Sequence, residues 1–435
     1  MNKQRIAVVG AGISGLASAW LLARRHEVTL FEAGDYLGGH THTVDVTLEG
    51  RTHPVDTGFL VFNEKTYPNL IALFEQLGVD SVETEMSFAV SLQSPDLEWA
   101  GSSLATLFGQ KRNLLRRPFW AMLSDILRFN RESTAWLATH PDEGRSLREF
   151  LVQGRYSDAF SDWYLLPMAA AIWSCPTGQM LDMPLATFIR FCHNHGLLQI
   201  FDRPLWRTVK GGGREYVNRI AARLRDVRLA CPVHAVARVA DGLQLSHAGG
   251  SEHFDQVVLA CHSDQALRLL GGSASAGQQA VLSAIRYQPN RALLHTDPAL
   301  LPRDRRLWSA WNYFAGAGQP GDQPVGVSYL INKLQPLPFH SPVVVTLNPA
   351  REPDPARVIA EFDYAHPVFD GPAIAAQQRL AEVQGEGGIW LAGAWGSYGF
   401  HEDGLRSALR VANALGVRAP WQDGTAALLR ETETA

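Results

Sequence analysis

Charge is scarce in this chain, and cysteine scarcer. Of 435 residues only 19% are Asp, Glu, Lys or Arg, against about a quarter in an average soluble protein. With 46% hydrophobic residues there is material for large cores, and disorder is excluded as the default state. The 39 basic and 43 acidic residues nearly cancel to a formal charge of −4, so no overall field gathers a polyanion and nucleic acid is not an expected partner. The four cysteines, Cys175, Cys192, Cys231 and Cys261, lie far apart with no C-x-x-C spacing. That argues against a zinc centre or a disulfide framework and suits a reducing cytosol. The apolar stretch at residues 164–175 falls short of the 18 or more residues of a spanning helix. A short apolar strand running straight into a glycine turn after Met1 is not the pattern of a signal peptide.

The length implies two or three packed units. Residues 6–9 read as a buried strand, 10–15 as a turn, 16–25 as a helix and 28–31 as a second strand ending at Glu32, which is a βαβ unit. Strand patterns recur at 233–239, 243–246, 256–260 and 389–392, the last followed by a glycine-bearing turn and a helix through 405–415. Residues 104–200 carry helical periodicity with Pro118, Pro141 and Pro167 as breakers. Residues 291–367, rich in aromatic and β-branched side chains, predict a second sheet facing that helical layer. The stretches 271–277 and 315–324 read as surface loops, and residues after Trp421 as a frayed tail.

Gly10-x-Gly12-x-x-Gly15 stands between strand and helix, the context in which this pattern has a mechanism. The first glycine makes the turn, the second lets backbone approach a diphosphate, the third lets helix pack on strand, and the helix N-terminus, with Ser14 in its first turn, faces the anion. Glu32 follows at the distance expected of a carboxylate that binds ribose hydroxyls, with Ala33 beside it. A second glycine pair, Gly38-Gly39-His40-Thr41, comes almost at once and lets the chain turn back along the diphosphate of a deeply held cofactor.

At this point the sequence resembles the flavin-containing amine oxidase superfamily. The resemblance implies an α/β, two-domain flavoprotein: a Rossmann-like FAD-binding domain with an inserted sheet-plus-helix substrate domain. The implied division is residues 1–85, 208–270 and 385–420 for FAD, 86–207 and 271–384 for substrate, and 421–435 as tail. His40 stands where that family carries Arg. By the same resemblance Gly58 and Phe59 pass the isoalloxazine, Lys210-Gly211-Gly212-Gly213 opens a helix near the cofactor, and Val233 and Ala260 flank the adenine. Gly393 and the run Asp403-Gly404-Leu405 bring a helix start to the flavin. FAD would be held non-covalently, because no cysteine follows Cys261. Gly38-Gly39-His40, Phe62-Asn63, Trp173-Ser174-Cys175-Pro176, Cys192-His193-Asn194-His195 and Tyr398-Gly399-Phe400-His401-Glu402-Asp403-Gly404-Leu405 are similar to the N-terminal flavoprotein region of plant cyclopropane fatty acid synthases and its free-standing bacterial relatives. That likeness implies dehydrogenation of methyl-branched or cyclopropane fatty acyl chains of phospholipids.

His401 and Tyr398 are the candidate catalytic residues, with capping of the last helix as the bland role for His401. Lysine occurs only at Lys3, Lys65, Lys111, Lys210 and Lys333, and residues 287–295 offer none, which weakens amine oxidation. Cys175 is better read as a buried small side chain than as a nucleophile. Cys192-His193-Asn194-His195 lacks a second ligand cluster, so no metal is expected. Residues 104–129 interleave Leu, Phe and Trp with Lys111, Arg112, Arg116 and Arg117, which suits an anionic bilayer or a solvated face of a core helix. The expected location is cytoplasmic, with a peripheral station at the inner membrane face open. Two alternatives stand beside lipid dehydrogenation: an oxidase of an amine or other small molecule, and a non-catalytic flavin-binding accessory of a lipid methyltransferase.

Overall fold

The computed structural model describes residues 3–139, 144–173, 176–199, 204–316 and 326–422. Its first layer is a five-stranded parallel sheet in the order Asp226–Arg228, Glu27–Phe31, Arg5–Val9, Gln256–Leu259, Ile389–Leu391. Alternation along the first strand decides its two faces. Ile6 and Val8 pack with Leu16 of the helix Ile13–Leu22 and with Leu405, Ala408 and Leu409 of the helix His401–Ala414. Ala7 and Val9 pack with Leu243, Leu245, Val281 and Ala373 on the other side. A parallel sheet buried on both faces needs such cover, because its crossovers place a layer on each side.

The second sheet has seven strands in the order Val358–Pro367, Tyr287–His295, Val344–Leu347, Gly326–Leu330, Trp311–Ala315, Phe88–Leu92, Leu97–Ala100. The last two were not legible as strands, and they close the sheet against the helical layer through Val90, Leu92 and Trp99 with Phe119 and Met122. A separate aromatic cluster, including Phe129, Phe150, Phe160, Phe188 and Phe191, holds that layer together. The helices Ala276–Ser283 and Gly371–Arg379 lie within the expected substrate segment 271–384, yet their Val281, Leu282, Ala373 and Ala376 cover the five-stranded sheet. An apolar helix face states that it is covered, not by which sheet.

Several local expectations change. Pro118 is the second residue of the helix Arg117–Thr139, where a missing N–H costs nothing. Pro167 sits within Leu166–Trp173, directly after a π-helical turn Ser161–Leu165 that widens the helix rather than breaking it. The expected loop 271–277 contains a helix start, because the Ser275 hydroxyl accepts the Gln278 N–H in a capping box. Pro141, Ser174, Cys175, the core of the 315–324 loop and the tail from residue 423 lie outside the described residues.

Candidate cofactor and substrate site

The helix Ile13–Leu22 starts without a side-chain cap and without an acid in its first turn. Its open N–H groups face a cavity walled there by Gly10, Gly12 and Ser14, an arrangement that attracts an anion. Glu32 is held against this turn: one carboxylate oxygen accepts the Ala11 N–H at 2.7 Å and the other the Gly34 N–H at 2.9 Å. Each oxygen keeps a lone pair for a ribose hydroxyl. Gly38 donates its N–H to the Ala11 carbonyl at 2.9 Å, and a Cβ on Gly39 would lie 3.1 Å from Gly12 Cα. The chain thus doubles back onto the turn and delivers His40 beside it. Ala33, Gly58, Phe59, Val233, Ala260 and Gly393 line the same cavity. Glycine at 58 is required by the protein itself, since a Cβ there would fall onto the His40 carbonyl, 3.1 Å from its carbon.

Five expected cofactor residues stand off the wall. Gly15 packs under Gly10, and Leu405 is fully buried in the core. The Thr41 hydroxyl is buried and bonds Tyr216 at 2.5 Å and His401 Nε2 at 2.8 Å. Asp403 caps the last helix by accepting the Phe400 N–H at 3.0 Å. That helix begins at His401 rather than near Gly404, so the Gly404 N–H is spent on the Phe400 carbonyl at 3.0 Å. The donors left open are those of His401 to Asp403. Gly404 instead lets the two nucleotide-side helices touch, because a Cβ there would sit 2.7 Å from Ile13 Cγ2. The Lys210 to Gly213 run is likewise turned away from the cavity: the Gly213 N–H binds both carboxylate oxygens of buried Asp56, at 2.9 and 3.0 Å.

His401 lines the cavity with its ring stacked 3.7 Å from that of Phe59. Its Nε2 is shared with the hydroxyls of Thr41 and, at 3.2 Å, Tyr216. Burial pushes its pKa down to about 3, so the ring is neutral at physiological pH. Helix capping falls to Asp403, and a ring held neutral by burial is a poor proton acceptor. His401→Ala should therefore slow flavin reduction less than tenfold and without a shifted pH profile. A loss on the order of 10² to 10⁴, the range of a general acid or base, in rapid-mixing absorbance would overturn that expectation. Tyr398 lies on the wall beside Phe191, ring centroids 5.9 Å apart. Cys192 is buried with its thiol held well above the usual range by desolvation, so it is a packing residue, whereas His195, stacked on Phe191 at 4.0 Å, lines the cavity. Among the described residues no three His, Cys, Asp or Glu side chains are placed to hold a metal ion.

The cavity measures about 1730 Å³, beyond the roughly 300–1,000 Å³ of a pocket for one drug-sized ligand. It has room for a dinucleotide and a substrate together. Its far end is walled by Trp99, Tyr164, Met168, Trp173, Phe191, Trp311 and Tyr329. The second sheet and the helical layer leave a chamber between these side chains. His262, Tyr287 and His366, on the wall near His40, carried no local signal. The nucleotide end fits FAD on two counts. Nothing lies within 4 Å of a Cβ placed on Gly12, so the turn is open to the diphosphate, and His40 Nε2 is buried with no partner.

A family model described as flavin containing amine oxidoreductase matches residues 13–293. The chain belongs to this family. Its cofactor is FAD, and the glycine turn, Glu32 and the open wall at Gly12 are the elements that would hold it. The carotenoid phi-ring synthase of Streptomyces griseus is 28% identical over 330 residues, covering 70% of this chain and 59% of that protein. The chain therefore matches less than two thirds of that relative's length. Among solved structures, a CLA-producing fatty acid isomerase from P. acnes superposes with a TM-score of 0.69 at 15% identity, covering 95% of this chain and 99% of that one. Cyclohexylamine oxidase from Brevibacterium oxydans IH-35A gives 0.68 at 17%, covering 95% and 98%. Both likenesses concern the fold.

The buried histidines also set an acid limit on stability. Burial lowers His195, His295 and His366 to about 4 and His401 to about 3. Below about 6.5 the unfolded chain binds protons that these folded rings refuse, so their share of stability is lost as pH falls from 6.5 toward 4. Asp56 and Glu402, raised by burial to about 6 and about 7, act in the opposite sense but are fewer. Thermal melts of the flavin-free protein should give a Tm that falls steadily from pH 7 to pH 5. A flat or rising profile would contradict the buried, neutral state of these rings.

Proposed function

We propose that this FAD-dependent oxidoreductase dehydrogenates an apolar acyl substrate, a methyl-branched or cyclopropane fatty acyl chain of a phospholipid. The observation that carries the reading is the composition of the cavity wall. Among the described residues its carboxylates are Glu32, engaged by the glycine turn, and Glu85, which pairs with Lys333 at 2.9 Å near the surface. No carboxylate remains in the aromatic chamber to receive an ammonium group. An acyl tail needs no such anchor, because each buried CH₂ contributes about 0.8 kcal/mol. The motifs shared with the flavoprotein region of cyclopropane fatty acid synthases support the same substrate class, as do the names of two proteins this chain is similar to, one a carotenoid synthase and one a fatty acid isomerase.

FAD, when bound, supplies the acceptor for the hydride. The chain's own part is to bind, orient and exclude water. The Trp and Tyr walls take the tail, and the stacked rings of Phe59 and His401 form part of the same wall. The deciding experiment is anaerobic: purified holoprotein mixed with phospholipid vesicles bearing methyl-branched or cyclopropane chains, with the visible absorbance of the oxidised flavin followed. Bleaching by these lipids and not by primary amines supports the reading. Bleaching by amines alone replaces it with a small-molecule oxidase, and bleaching by neither, with binding to a lipid methyltransferase, makes the protein an accessory.

The lipid would reach the chamber from a bilayer. Leu104 lines the cavity and is 76% exposed, marking the mouth, and Leu114, Leu115, Trp120 and Leu127 stand exposed on the adjoining helices. Arg112 pairs with Asp96, and Arg116 bonds the Asp96 carbonyl at 2.9 Å. Lys111 and Arg117 are exposed and carry no ion pair among the described residues. Two uncompensated cations in an apolar rim suit an anionic surface, each worth about 1 kcal/mol there. No described helix is long and apolar enough to cross a membrane, so the contact proposed is peripheral. The double variant Lys111→Glu, Arg117→Glu should sediment at least tenfold less with anionic vesicles and be unchanged in solution properties. Equal sedimentation would return this stretch to an ordinary solvated helix face.

A further inference from the structure

Three imidazoles meet on the cavity wall beside the glycine turn. The His40 ring lies 5.2 Å from that of His366 and 6.2 Å from that of His262, and His262 is stacked at 4.3 Å on Tyr287. They come from the return of the chain at Gly39, the end of the strand Gln256–Leu259 and the end of the strand Val358–Pro367. Among the described residues none of the three forms an ion pair with a carboxylate, and all line the same cavity.

The proton position on His366 follows from its neighbours. The Arg291 backbone N–H can only donate, and it does so to Asn348 Oδ1 at 3.0 Å. Asn348 must then present its amide nitrogen to Asn290 Oδ1, at 2.6 Å. Asn290 in turn donates from Nδ2 to the Gln288 carbonyl at 3.1 Å and to His366 Nδ1 at 2.9 Å. Nδ1 is therefore an acceptor, and the neutral ring carries its proton on Nε2. Asn348 adopts φ +45° to complete this chain, a conformation uncommon for a residue other than glycine. Backbone of that kind is kept where surrounding structure enforces it. Burial foremost keeps all three rings uncharged; the neighbouring imidazoles add to it at His40 and His366, and Arg268 at His262, where Asp264 acts in the opposite sense. They can act as hydrogen-bond donors without the cost of burying a cation.

We propose that His40, His262 and His366 form a neutral donor cluster for the cofactor's diphosphate, and that Asn290 and Asn348 are positioning residues that hold His366 as its Nε2–H tautomer. The proposal rests on FAD as the cofactor. It assigns to three histidines distant in sequence a place near the open helix N-terminus, reached through Gly39, where a Cβ would lie 3.1 Å from Gly12 Cα.

The test is a fluorescence titration of FAD, ADP and adenosine into the flavin-stripped protein, each variant checked by its melting temperature. A hydrogen bond to a charged oxygen contributes enough for about a tenfold to hundredfold change in affinity. His366→Phe should weaken FAD and ADP by that factor and leave adenosine unchanged, and His366→Gln, which keeps a donor, should restore most of the loss. Selective ¹⁵N-histidine NMR of the wild type should show His366 protonated at Nε2, and Asn290→Leu should abolish that preference. Equal losses for ADP and adenosine would reduce the cluster to a shaping role and overturn the proposal. So would an Nδ1–H tautomer in the wild type. Unchanged FAD and ADP binding with weakened binding of glycerophosphocholine would assign the histidines to a lipid headgroup and overturn it too. A wild type that binds neither FAD nor ADP would instead refute the cofactor reading itself.

Discussion

Gly15→Ala should yield a protein that is insoluble or melts far below the wild type and carries no flavin. A Cβ at this position would fall onto the carbonyl oxygen of Gly10, 2.9 Å from its carbon and 3.2 Å from Ala260 Cβ. The obstacle is backbone on a central strand's end, not the tip of a flexible side chain, so relief requires moving either the helix Ile13–Leu22 or the turn itself. Overpacking of a tight interior typically costs about 1–3 kcal/mol and more where backbone must shift, against a total stability of about 5–15 kcal/mol. Gly12→Ala is the informative partner. Nothing lies within 4 Å of its added Cβ, so the flavin-free protein should fold with an unchanged Tm while the methyl group occupies the space of the diphosphate. Flavin-to-protein absorbance ratios and melts of the two variants separate the roles. A Gly15→Ala protein with wild-type Tm and flavin content would show that helix and strand are not packed as described.

Glu32→Ala should weaken FAD binding by about 10² to 10⁴, the loss of two hydrogen bonds to a charged acceptor at roughly 1.5–3 kcal/mol each. The carboxylate also anchors the turn through Ala11 and Gly34, so the variant is expected to lose a little stability as well, unlike Gly12→Ala. Glu32→Gln is the sharper probe. Both carboxylate oxygens accept backbone N–H groups, and an amide would oppose one of those donors with its own NH₂. Gln should therefore bind FAD markedly less well than Glu despite equal size. Comparable FAD affinity in the alanine variant, measured by quenching of flavin fluorescence, would remove Glu32 from the cofactor site.

The parts of this site that were legible lie close together in the chain. The strand Arg5–Val9, the helix Ile13–Leu22 and the strand Glu27–Phe31 follow one another within a single βαβ unit, whose geometry converts residue spacing directly into position. Gly10, Gly12 and Glu32 could be placed on that ground alone. Near the last helix the same reasoning misjudged the start by four residues. Asp403 serves its own helix as a cap, and neighbouring Glu402 accepts the N–H groups of Asn69 and Leu70 at the start of another helix, Pro68–Leu77. An acid near a helix start reads alike in either role.

Within the sequence itself, then, stood the dinucleotide turn, the parallel nucleotide layer, the helical insertion and the second sheet, because helical and strand periodicities are local properties of the backbone. Tertiary structure alone decided which apolar faces became core and which became chamber wall. It alone brought His40, His262 and His366 within reach of one another, and it alone turned the Lys210 to Gly213 run from the cofactor toward Asp56. The physical reason is the same in each case. These contacts join strand ends of two different sheets, and their distance is set by sheet order and by how one sheet bends over the other, quantities to which no spacing along the chain corresponds.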